Sequence, residues 1–168
     1  MKRLSLAVFT LLLAVASQAQ APKSPRVTDK TKNAVVEWGQ PSKRGREVFG
    51  KLVPYGQVWR TGANQCTEIE FKKPVSFGGT TIRPGRYALF TIPKESEWVV
   101  ILNAETDQWG SFNYNAEKDV VRVTVPVETL EKEVEVFTLD LQAVKGDKKA
   151  EVLALMWDRT LVKVPLSY

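Results

Sequence analysis

From residue 34 onward, apolar side chains recur at every second position in short runs, and glycine or proline stops most of the runs. A period of two places successive side chains on opposite faces of an extended strand, whereas a helix needs a period of 3.6. Residues 34–38 form the first run, ended by Gly39 and Pro41. In residues 67–71, Ile69 and Phe71 oppose Glu68, Glu70 and Lys72, the pattern of a half-buried strand. Residues 75–77 and 80–82 flank Gly78-Gly79, and a Gly-Gly pair between two β runs signals a two-residue hairpin. Residues 87–92 are apolar on both faces, which predicts a central strand covered on both sides. Pro93 ends it, because proline has no N–H to give a ladder.

Residues 98–102, 120–125, 134–141, 152–157 and 161–166 complete the set. Within 134–141 the apolar phase slips from Val134 and Val136 to Phe137, Leu139 and Leu141, as a β-bulge allows. Residues 127–133 offer at most one helical turn. About ten short strands with turn signals between them predict an all-β, two-layer antiparallel β-sandwich, with a closed β-barrel as the alternative. Residues 42–62 hold no sustained period and read as one long ordered loop, since Phe49, Tyr55 and Trp59 give it side chains to pack.

The amino-terminal end has a different logic. Lys2 and Arg3 precede an apolar run from Leu4 to Ala16, and Ser17-Gln18-Ala19 offers small residues where a signal peptidase reads them. This is the layout of a secretory signal peptide over residues 1–19, cut between Ala19 and Gln20. The run is too short to cross a bilayer stably, which takes about 20 apolar residues. The mature chain is therefore expected to be periplasmic or secreted, without a transmembrane span. Residues 20–32 are polar, contain Pro22 and Pro25, and read as a flexible leader to a single domain over 33–168. A domain of roughly 150 residues buries about 68–70% of its unfolded surface and needs no staple.

Two residue counts exclude whole classes of chemistry. The chain has no His and one Cys, Cys66. Ser-His-Asp and Cys-His catalysis, the usual zinc sites and an intramolecular disulfide are all excluded. No metal site and no cofactor is expected. The formal net charge is +5, and two of its cations, Lys2 and Arg3, belong to the signal peptide. So small an excess in an exported chain does not point to nucleic acid as a partner.

The densest chemistry lies in the 43–67 segment. Arg44, Arg46 and Arg60 supply guanidinium groups suited to bidentate capture of carboxylate or phosphate. Tyr55 and Trp59 offer flat faces for stacking, and Asn64 adds an amide with both donor and acceptor. A second loop over 103–118 contributes Trp109 and Tyr114. Each also has a structural use: Trp59 and Trp109 suit a core, and Arg60 could tie the loop to Glu37, Asp119 or Glu135. The same three acids are the candidates for a carboxylate pair of the glycosidase kind.

The segment Pro41, Gly45-Arg46, Phe49-Gly50, Leu52-Val53-Pro54-Tyr55-Gly56, Trp59-Arg60-Thr61-Gly62-Ala63-Asn64 and Thr67 resembles the bacterial family called Domain of Unknown Function 2911. So do Pro84-Gly85, Tyr87, Leu89-Phe90-Thr91-Ile92-Pro93, Trp109-Gly110 and Asp119-Val120 with Arg122. The resemblance spans about residues 24–166 and implies bacterial export and a β-sandwich, with no activity to carry over. Family members often have a His near the start of the domain, where this chain reads Ser24-Pro25-Arg26.

Three functions remain open on the residues alone. The first is a module binding a saccharide or small anionic ligand through Arg44, Arg46, Tyr55, Trp59, Arg60, Asn64, Trp109 and Tyr114. The second is a structural or interaction protein of the cell envelope. The third is a hydrolase working through carboxylates without His.

Overall fold

The computed structural model describes residues 24–168. The expected signal peptide and residues 20–23 of the expected leader lie outside the described residues. Nine strands follow one another: β1 (Arg26–Lys30), β2 (Ala34–Gly39), β3 (Thr67–Phe71), β4 (Val75–Phe77), β5 (Thr80–Ile82), β6 (Gly85–Pro93), β7 (Glu97–Asn103), β8 (Asp119–Ala143) and β9 (Ala150–Ser167). All pairings are antiparallel, in the order β1-β2-β3-β6-β7-β8-β9-β4-β5. β1 and β5 are the two free ends of this ladder, so the sheet is not closed into a barrel.

Two layers come from one sheet because β8 belongs to both. Residues 119–126 of β8 pair with β7, while residues 127–143 pair with β9. The β8–β9 register shifts between Thr129 and Val134 and again between Val134 and Thr138. Irregularities of this kind bend a strand and raise its local twist. The bend faces Ile69, Phe71, Trp98, Val100 and Leu102 toward Phe137, Leu139, Leu153, Leu155 and Trp157, all 2% exposed or less, in one core. The layers are also cross-linked: Trp38 Nε1 on β2 donates to the Phe137 carbonyl of β8 at 3.1 Å.

The all-β expectation holds, as does the phase slip. Gly78 and Gly79 form the predicted hairpin turn with φ of 55° and 97°, a region open to glycine at no steric cost. Three details differ. The helical turn allowed for 127–133 is strand, and the one helical element among the described residues is a 3-10 turn at Ala116–Lys118. The runs 120–125 and 134–141 are one strand, as are 152–157 and 161–166, because a bent strand continues through a break in alternation. Residues 26–30, inside the expected leader, form β1. The strand is an edge with one largely apolar contributor, Val27, which is why its alternation escapes a hydrophobicity reading.

The long loop is ordered, and its packing explains why. Lys43 pairs with Asp158 at 2.7 Å and Glu133 at 3.0 Å, pinning its start to β8 and β9. Val48, Val53 and Trp59 then enter the main core, with Phe49 packed beside them. The loop's far end runs beside β6, where Trp59 and Thr91 exchange backbone hydrogen bonds of 2.7 and 3.0 Å. A second, smaller cluster of Cys66, Ala88, Phe90 and Ile101, joined by Tyr114, lies on the other face of β6. β6 is thus covered on both sides, as its residues predict. Cys66 is buried, and that burial pushes its thiol pKa up.

Candidate functional site

The segment from Trp59 to Asn64 is wound too tightly for ordinary backbone. Thr61 has φ of 56° and Asn64 of 64°, and a β-branched residue in the left-handed region is a strained outlier. Three contacts hold the strain. Thr61 Oγ1 reaches Thr91 Oγ1 at 3.1 Å, Thr67 Oγ1 donates to the Thr61 carbonyl at 2.5 Å, and the Ala63 N–H donates to Gly39 at 3.0 Å. The winding sends Trp59 inward and leaves Arg60 beside a cleft.

That cleft has a volume of about 320 Å³. Trp59 and Trp157 line it, with ring centroids 6.0 Å apart and planes 17° from parallel. Leu52 and Val53 add apolar wall, and Arg46, Arg60 and Asn64 supply the polar groups. Arg46 is fixed at the rim by its own bonds, from Nε to the Lys43 carbonyl at 2.9 Å and from Nη2 to the Ser42 carbonyl at 2.8 Å. Arg60 is different. Its Nε is buried without a hydrogen-bond partner, and among the described residues its guanidinium forms no ion pair. Burial lowers its pKa. A buried donor left unmade is costly to keep, and the rest of the Arg60 side chain lines the cleft.

A second cleft, also about 320 Å³, shares Ser24, Ala63 and Asn64 with the first and adds Arg26, Gln65 and Trp109. Trp109 is 63% exposed. Its loop is docked by the Gln65–Trp109 bridge and by the Gly110 N–H donating to the Asn64 carbonyl at 3.0 Å. Arg26 Nη1 donates to the Cys66 carbonyl at 2.8 Å.

Of the eight side chains singled out from sequence, the structure gathers Arg46, Trp59, Arg60 and Asn64 around the first cleft and Trp109 around the second. Arg44, Tyr55 and Tyr114 line neither. Arg44 is exposed, with its N–H held by Glu135 Oε1 at 2.8 Å. Tyr55 is 40% exposed and lies against Gly50. Tyr114 packs edge-on to Phe90 at 5.0 Å and donates to Asp119 Oδ2 at 2.6 Å, while Arg122 donates to its hydroxyl at 2.7 Å. None of the anticipated acids reaches Arg60. Glu37 is held by Arg86, Asp119 by Arg122 and Tyr114, and Glu135 by the Arg44 N–H. Sequence reasoning passed over Trp157, which reads as a plain core residue in its strand, and Arg26, which sits in the presumed leader.

Tyr114 yields a prediction independent of any ligand. Burial and the adjoining Asp119 carboxylate push its pKa up to about 12 from 10.0. A raised phenol pKa means the folded protein keeps its proton after the unfolded chain has released it. The contribution of Tyr114 to stability should therefore be level below pH 10 and fall as the pH rises from 10 toward 12. Urea midpoints measured across that range should fall less steeply in Tyr114→Phe than in the parent.

A larger cavity of about 540 Å³ opens where the β1–β2 turn meets the β8–β9 connection. Its buried acid, Glu151, is already engaged by Thr31 at 3.0 Å, Asn33 at 2.8 Å and Tyr168 at 3.2 Å. The buried donor left without a partner, Arg60 Nε, belongs to a residue of the first arginine-lined cleft instead.

A family model described as "Protein of unknown function (DUF2911)" matches residues 20–166, nearly the whole chain, in line with the motif resemblance. No curated protein and no solved structure matches the chain.

Proposed function

Since the chain belongs to the DUF2911 family of unknown function, whose description assigns no activity, we propose from the site itself that it is an exported module binding a small anionic ligand in the Arg60 cleft. One observation carries this reading: Arg60 lines the cleft half-buried, and among the described residues its guanidinium forms no ion pair, its Nε being buried without a hydrogen-bond partner. A carboxylate, phosphate or sulfate is the acceptor that a guanidinium fork fits. Trp59 and Trp157 supply the apolar lining that excludes water and strengthens such a contact. Export rests on the amino-terminal layout of residues 1–19.

The envelope-protein reading requires Trp59, Arg60 and Asn64 all to be covered and bonded internally. Trp59 meets that requirement, since its Nε1 donates to the Gly62 carbonyl at 3.1 Å. Arg60 does not, and Asn64, although its amide donates to the Ser24 carbonyl at 3.2 Å, is exposed. For the hydrolase reading, no Asp or Glu among the described residues lines either cleft. The arrangement favours binding over both.

Isothermal titration with citrate, inorganic phosphate and galacturonate tests the reading. Arg60→Met should weaken binding about 10–100-fold, the worth of a charge-assisted hydrogen bond. The same substitution removes an unpaired buried donor, so its melting temperature should stay within about 3 °C of the parent. No detectable binding of any anion by the parent protein would sink the proposal.

A further inference from the structure

Resting on the anion-binding reading above, we infer that the ligand is an acidic saccharide of at least two rings. It would lie across both clefts, with one charged group on Arg60 and a neighbouring ring stacked on Trp109. Four observations lead there. The two clefts are contiguous, because Ser24, Ala63 and Asn64 belong to both. Each carries a guanidinium, Arg60 in one and Arg26 in the other, and no acid lines either among the described residues. Charge is therefore repeated along the path, as it is along a chain of uronic acid or sulfated sugar units. The shared wall is uncharged, and Asn64 on it and Gln65 beside it in the second cleft are both exposed. Such groups suit hydroxyls better than a second carboxylate.

The fourth observation is Trp109 itself. A tryptophan that serves only the core hides its ring, as Trp98 does at 2% exposure, whereas Trp109 keeps 63% of its surface in water. Its loop is nonetheless ordered by backbone bonds to Asn64 and Cys66, from Gly110 at 3.0 Å and to Gln108 at 2.9 Å. The indole is thus held out on a fixed support. A pyranose presents a face of C–H bonds, slightly positive, that complements the negative face of an indole. A simple inorganic anion has no use for such a platform, and a neutral sugar has no use for two guanidinium groups.

The test is titration calorimetry on the full chain with citrate, galacturonate, trigalacturonate, a sulfated trisaccharide and uncharged maltotriose. Trigalacturonate or the sulfated trisaccharide should bind about tenfold or more tightly than galacturonate. The arm that binds identifies carboxylate or sulfate as the charge. Trp109→Ala should abolish that gain. Its melting temperature should be unchanged, since the ring is exposed. Arg60→Met should weaken every acidic ligand, and maltotriose should not bind. Citrate and galacturonate binding without any gain for the trisaccharides, or a gain that survives Trp109→Ala, overturns the inference and leaves the anion site standing. Absence of binding by all the anions overturns both together.

Discussion

Trp59→Ala should lower the free energy of unfolding by about 3–5 kcal/mol, the range for emptying a buried aromatic site. Trp59 is 8% exposed and sits among four rings. Phe137 lies at 5.0 Å, Trp157 at 6.0 Å, and Phe49 and Trp98 each at 6.1 Å between centroids. Aromatic pairs are worth about 0.5–1.5 kcal/mol each beyond the area they bury, so removing the shared member weakens several at once. Phe49 and Trp59 come from the long loop, whereas Trp98, Phe137 and Trp157 come from β7, β8 and β9. The loss is therefore one of docking as well as of packing. In thermal denaturation the melting temperature should fall by about 8–16 °C for a chain of this length. Trp59→Phe refills part of the space and should cost about half as much. A loss under about 1 kcal/mol for the alanine variant would show that the loop does not close the core as described.

Gly39→Ala should be nearly as damaging, for a different reason. A Cβ at position 39 falls on the carbonyl of Ala63, which is backbone and cannot turn aside. The end of β2 and the strained segment can lie together there only because residue 39 has no side chain. Substitution must push Ala63 away, breaking its hydrogen bond to Gly39 and moving a residue that lines both clefts. A loss of about 3 kcal/mol is expected, at the upper end of overpacking effects. Ligand affinity should fall with it. Gly45→Ala is the control. Its φ is 69° and nothing lies within 4 Å of the added atom, so the cost should be about 1 kcal/mol of backbone strain with no change in binding. Urea midpoints for the two variants separate close approach from strain. Equal losses would refute the docking role given to Gly39.

Much of the architecture can be read from the residues. The strands at 67–71, 75–77 and 80–82 carry their boundaries in the chain, because alternation and Gly or Pro stops are local properties. The candidate site was half legible. Trp59, Arg60 and Asn64 are close in sequence and stay together whatever the fold, and Arg46 belongs to the same long connector. Tyr114 was read as a ligand group because aromatics in loops look alike in sequence. Its hydroxyl is taken up by Asp119 and Arg122, partners that only the pairing of β8 brings under it. Trp157 stayed hidden for the converse reason: a strand tryptophan announces burial and nothing about what it lines.

The sequence by itself determined that this protein is built of strands, that it lacks the residues for His-based or common zinc chemistry, and that its cationic and aromatic groups are concentrated in one connector. Those are matters of composition and of contacts between near neighbours. Tertiary structure alone decided that β8 folds the sheet onto itself and that Arg26 joins Trp109 around a cleft beside the Arg60 cleft. It also decided that, among the described residues, the guanidinium of Arg60 forms no ion pair and its Nε no hydrogen bond. Each of these depends on residues far apart in the chain, and whether a side chain is satisfied is a property of its surroundings, which periodicity does not encode.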